Sequence, residues 1–78
     1  MRVFTWRRGV GMEALGRKIA RARGLLGLSQ EALAVRAGLA GRTLGQIERG
    51  VSNPRVDTVR RVAGALGVDV RKLVGSGR

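Results

Sequence analysis

The sequence predicts an all-α domain of five short helices. Two observations carry that reading. Apolar residues recur at alternating spacings of three and four, the period of a helix with one buried face. Glycines punctuate the runs at Gly24, Gly27, Gly38, Gly50 and Gly67, where helices end and chains reverse. The chain has 78 residues, enough for one modest core and too few for a deep enzymatic pocket with a lid.

The elements follow in order. Met12, Leu15, Ile19 and Ala22 form the apolar stripe of a first helix over 13–25, with Arg17, Lys18 and Arg21 on its other faces. Residues 1–12 break the pattern at Gly9 and Gly11 and are expected to be a flexible tail. That tail carries both aromatics, Phe4 and Trp6, and the pair Arg7 and Arg8. Ser29 is the N-cap of a second helix, and Glu31 sits in its first turn, where the helix dipole favours an acid. Leu33, Ala34 and Ala37 give that helix a narrow inner face, and Gly38 stops it. A turn, Gly38-Leu39-Ala40-Gly41, leads into a third helix over 41–49, with Leu44 and Ile47 inward. Asn53-Pro54 is a turn, with proline suited to a first helical position. The fourth helix, 55–66, has Val56, Val59, Val62, Ala63 and Leu66 as its apolar stripe, and Gly67 closes it. Asp69 caps a fifth over 70–74, and residues 75–78 are a frayed end.

Charge sets the partner. Sixteen Lys+Arg stand against five Asp+Glu, a formal net charge of +11, which favours polyanions. Fourteen of the cations are Arg, the exceptions being Lys18 and Lys72. Arg grips phosphate and guanine edges through a two-pronged fork, although a GC-rich coding genome gives the same bias. The sequence has no Cys and no His. Thiol chemistry, disulfides, zinc sites built from His or Cys and the usual general base are therefore absent. Neither a paired-carboxylate site nor a phosphate-cradling glycine loop is recognisable. The expectation is a non-enzymatic binding module that needs no cofactor or metal, in the cytoplasm and without membrane attachment. A cationic membrane-surface peptide fits poorly, because capped helices with alanine-lined crossings suit a folded core.

Two helices joined by a tight glycine turn have the geometry of a DNA-binding helix-turn-helix. The chain resembles the phage repressor/Cro-like, or Xre-type, helix-turn-helix domains, with a lambda-repressor-like five-helix fold. The matching residues are Leu28-Ser29-Gln30-Glu31, Leu33-Ala34, Ala37-Gly38-Leu39, Thr43 and Ile47-Glu48-Arg49-Gly50. They continue through Asn53-Pro54, Asp57-Thr58, Ala63, Ala65-Leu66-Gly67-Val68 and Leu73. Each piece is weak alone, and the ordered set is specific.

The resemblance implies a sequence-specific transcriptional regulator, a repressor, that binds double-stranded DNA as a homodimer with helix 3 in the major groove. It places Gly41, Arg42, Gly45 and Gln46 toward the bases, with Thr43 beside them. Phosphate contacts fall to Ser29, Gln30, Arg49 and Arg55, and Gln30 also braces helix 3. Arg23 with Glu48 is implied as an ion pair between helices 1 and 3. Pairing of two copies is implied near helix 5, through Val70, Leu73 and Val74, residues that could equally finish the core. The alternative is an antitoxin-type regulator that also binds a partner toxin protein, with the 1–12 tail as the candidate extension. The chain departs from the family at Ala40, where Ser or Thr is usual, and Gly41 and Gly45 weaken helix 3.

Overall fold

The computed structural model describes residues 10–74, which form five α-helices: α1 (Val10–Leu25), α2 (Gln30–Ala37), α3 (Gly41–Glu48), α4 (Val56–Leu66) and α5 (Val70–Val74). None of the described helices is long and apolar enough to cross a membrane.

The apolar stripes meet in one core. Leu15 and Ile19 of α1, Leu33 of α2, Leu44 of α3, and Val59 and Val62 of α4 are its most deeply buried large side chains. Ile47 of α3, Leu66 of α4, Leu73 of α5 and the small Ala34, Ala37 and Ala63 complete it. α2 packs chiefly on α4, and α1 packs chiefly on α3. The two helices of the turn motif are thus each backed by a different neighbour.

Helix ends follow a shared device. Gly27, Gly38, Gly50 and Gly67 all have φ between 71° and 75°, the left-handed region that favours glycine. After α2, the Leu39 N–H donates to the Ala34 carbonyl at 2.8 Å and the Gly38 N–H to Val35 at 3.1 Å. This double closure satisfies carbonyls at the helix end and reverses the chain. Its recurrence explains why glycine spacing alone located most of the helix ends.

Three boundaries differ from the expectation, the smallest being at α3, which ends at Glu48 with Arg49 as its C-cap. α1 begins at Val10 and runs through Gly11, so residues 10–12 are helix and not tail. A glycine costs a helix about 1 kcal/mol relative to alanine, a penalty that packing can override. The first turns of α1 are packed: a Cβ placed on Gly50 would lie 3.0 Å from Glu13 Cα. Residues 1–9, with Phe4, Trp6, Arg7 and Arg8, lie outside the described residues, as do 75–78. At α4 the helix starts at Val56, with Arg55 as an extended N-cap. Pro54 therefore lies one residue before the cap and not at the first helical position.

α5 is capped as its sequence suggests. The Arg71 N–H donates to Asp69 Oδ1 at 2.8 Å, and the Arg71 guanidinium reaches Oδ2 at 3.2 Å. These hydrogen bonds from Arg71 hold the Asp69 carboxyl below its ordinary range. A depressed carboxyl stabilises the fold above its unfolded value, and that small contribution is lost as pH falls through the folded value.

Candidate nucleic-acid interface

The site is the α2–turn–α3 unit. Ser29 has extended geometry and its Oγ accepts from the Ala32 N–H at 3.0 Å. Capping uses the hydroxyl oxygen as an acceptor, which leaves the hydroxyl proton for an anion outside. Gly38 then turns the chain into α3 without a bulky side chain at the corner.

One carboxylate locks α3 from behind. Glu48 Oε2 accepts from Arg23 Nε at 2.7 Å, and Oε1 accepts from Arg23 Nη2 at 2.9 Å. Oε1 also accepts from Gln30 Nε2 at 2.9 Å. Arg23 Nη1 donates to the Leu28 carbonyl at 2.9 Å. A single acid thus ties α1, α2 and the loop between them to the end of α3. The Glu48 side chain is 5% exposed and that of Arg23 21%, so the pair is largely shielded from water. The hydrogen bond to Glu48 raises the Arg23 pKa above its already high ordinary value, against the opposing effect of burial. An acid in the last turn of a helix opposes the helix dipole, and here the forked arginine offsets that penalty.

The outer face of α3 is open. Arg42, Thr43 and Arg49 are exposed and Gln46 is half-buried. Helix periodicity sets Arg42, Gln46 and Arg49 in one stripe opposite the buried Leu44 and Ile47. Gly41 begins the helix beside Glu31: a Cβ there would lie 4.0 Å from Glu31 Cγ. Arg55 is exposed at the start of α4.

Two sequence expectations need correction. Gly45 is buried, and a Cβ on it would sit 3.5 Å from both Gln30 Oε1 and Arg49 Nη1. Those side chains cover it, so although helix spacing sets it beside Gln46 and Arg49, its own surface is shielded and it gives room to Gln30. Leu73 is 3% exposed within the single chain, because α5 needs one large apolar anchor to dock on the core. It has no surface left to offer a second copy, whereas Val70 and Val74 are only partly covered.

One residue escaped the sequence reading. Gly16 lies in the middle of α1, and a Cβ there would fall 2.5 Å from the Ile47 carbonyl oxygen and 2.8 Å from the Glu48 carbonyl carbon. The two helices touch backbone to backbone at this point. The available signal was a mid-helix glycine between Leu15 and Ile19 that stops nothing.

Ala40 is the weak point of the motif. It has the extended N-cap geometry, φ −72° and ψ 145°, with no side-chain hydrogen bond. Ala40→Ser should add a cap worth about 1 kcal/mol. A thermal melt should then rise by about 4–8 °C, and an unchanged melt would mean that the end of α3 is already satisfied.

Together these features define a class: a helix-turn-helix domain with its second helix clamped from behind and an Arg/Gln stripe facing out. The chain belongs to the HTH_3 helix-turn-helix family, whose model matches residues 19–73. It is 42% identical over 60 residues to the uncharacterized HTH-type transcriptional regulator y4dJ of Sinorhizobium fredii, covering 77% of this chain and 78% of that protein. The restriction-modification controller protein C.AhdI of Aeromonas hydrophila is similar in structure, with a TM-score of 0.78 and 34% identity over 80% of this chain and 94% of that one. SinR, a master regulator for biofilm formation solved in complex with DNA, gives 0.73 and 35% over 76% and 95%. This protein is accordingly a DNA-binding transcriptional regulator of the Xre type, in a family whose members are generally not enzymes.

Proposed function

We infer that the protein is a sequence-specific repressor that sets α3 in the major groove and acts as a dimer. The observation that carries this is the open stripe of Arg42, Gln46 and Arg49 on a helix held from behind by Glu48. Recognition needs side chains that reach base edges from a helix that does not shift. Arg42 suits guanine O6 and N7, and Gln46 suits adenine N6 and N7. Thr43 suits a thymine methyl or a phosphate, and Gly41 allows close backbone approach. The Ser29 hydroxyl, the free N–H of the Gln30 amide, Arg49 and Arg55 supply the phosphate contacts. Pairing of two copies draws on Val70 and Val74, and a single domain of this size reads too few base pairs for a useful operator without it. The antitoxin alternative assigned toxin binding to residues 1–12, of which 10–12 are helix. No observation among the described residues favours it.

Selection from random duplexes tests the reading. A palindrome with half-sites about one helical turn apart is expected. Arg42→Ala and Gln46→Ala should each weaken binding to the selected duplex by about 1–3 kcal/mol and relax preference at one position. A pool that stays random with both wild type and variants would sink sequence-specific readout. If six to eight phosphates are neutralised, log affinity should fall against log salt with a slope of roughly −5 to −7.

A further inference from the structure

The outer face of α1 is a strongly basic surface that the readout through α3 does not use. Leu15, Gly16, Ile19 and Arg23 point inward, toward the core and α3. Helix periodicity then turns Arg17, Lys18 and Arg21 outward within about one turn, and all three are exposed. Neither described ion pair includes them, and Glu13 is the single acid within a turn. Among the described residues the three line an open depression of about 520 Å³ together with Ala14 and Ala20. Small flanking residues let a bulky anion approach the guanidinium and ammonium groups closely. Like charges three and four residues apart on a helix repel, and a polyanion relieves that repulsion.

The placement of α1 separates this surface from the α3 stripe. Gly16 lies against the carbonyl ends of Ile47 and Glu48, so the inner face of α1 crosses the C-terminal end of α3. Its outer face is a helix diameter, about 10 Å, farther out. The Arg42–Gln46–Arg49 stripe faces sideways from the α3 axis, in a different direction. A duplex seated on that stripe leaves Arg17, Lys18 and Arg21 on another side of the domain.

We propose that Arg17, Lys18 and Arg21 form a second, sequence-independent phosphodiester-binding surface that holds a separate DNA duplex, so that the protein bridges two duplexes. The inference rests on the family's DNA binding and not on the assignment of particular base contacts to α3.

The test is a capture assay with the full chain. A random-sequence duplex is fixed on beads, protein is bound, and a fluorescent second duplex is added. Wild type should capture it. If three phosphates are held, capture should fall about forty-fold between about 50 and about 200 mM salt. The variant R17Q/K18Q/R21Q should lose capture by about tenfold or more, in line with three lost phosphate contacts. In parallel anisotropy with limiting single duplex the variant should lose much less than it loses in capture, because α3 still holds one duplex, and its thermal melt should not fall. Absence of capture by wild type at low salt would overturn the proposal and leave an acidic protein or an anionic membrane as the partner of this face. Undiminished capture by the variant would overturn it in favour of bridging through two α3 faces of a dimer. A loss of single-duplex affinity as large as the loss of capture would overturn it by placing α1 on the same duplex as α3. Loss of the α3 readout variants' specificity, by contrast, would leave the capture result unaffected.

Discussion

Gly16→Ala should destabilise the protein by about 2–3 kcal/mol, the largest effect of any single methyl group added to this chain. Alanine raises helix propensity by about 1 kcal/mol over glycine, so the intrinsic effect has the opposite sign. It is outweighed because the new methyl would fall 2.5 Å from the Ile47 carbonyl oxygen and clash with the carbonyl of Glu48. Those atoms are backbone at the end of α3 and cannot rotate aside. Relief requires moving α1 away from α3, at a cost in the upper part of the usual range for overpacking, about 3 kcal/mol or more. Separation would also stretch the Arg23–Glu48 contacts, so DNA affinity should drop together with stability. Gly24→Ala is the matched control: it lies in the same helix with nothing within 4 Å of the added methyl. It should stabilise by up to about 1 kcal/mol. Thermal or urea melts of the two variants should therefore move in opposite directions, and a Gly16→Ala protein that melts at or above wild type would refute the close contact.

Removal of Arg23 should be at least as damaging, and more so than removal of its partner. Arg23→Ala leaves the Glu48 carboxylate, 5% exposed, at the negative end of α3 with Gln30 as its remaining described donor. Breaking a buried pair in this way costs about 3–5 kcal/mol. The partial exposure of Arg23 argues for the lower end, about 3 kcal/mol. Glu48→Ala leaves a guanidinium that is 21% exposed and can turn toward water, so a smaller loss of about 2 kcal/mol is expected. The double variant should cost less than the sum of the two, as expected for residues in direct contact. Equal costs for the two single variants, or simple additivity, would mean that the pair is a solvent-screened surface contact. A folded Glu48→Ala protein should still bind DNA less tightly, because Gln30 loses the acceptor that orients its amide.

Much of the fold was legible because local signals agreed with the tertiary structure. Ser29 and Gly38 bracket α2 at the residues where they stand, since a hydroxyl that caps a helix start and a glycine that reverses a chain act on their immediate neighbours. The five helices, the inward Leu44, Ile47, Val59, Val62 and Leu66, and the capping role of Asp69 were read from the same short-range chemistry. The α1 boundary was misread because a glycine near a helix end is decided by what the turn packs against. Here the first turns of α1 lie on the loop at Gly50.

The candidate interface divides in the same way. Sequence alone determined the five-helix order, the positive charge and which side chains α3 carries, because these depend on residue identity and on spacing within one element. Tertiary structure decided which of them remain free. Gly45 disappears beneath Gln30 and Arg49, and Leu73 is spent in the core. Arg23, Gln30 and Glu48, 25 and 18 residues apart in their two contacts, converge into one clamp. Gly16 matters only because α3 ends against it. Burial and close approach are properties of pairs of elements brought together from distant parts of the chain, and no pattern within one helix records them.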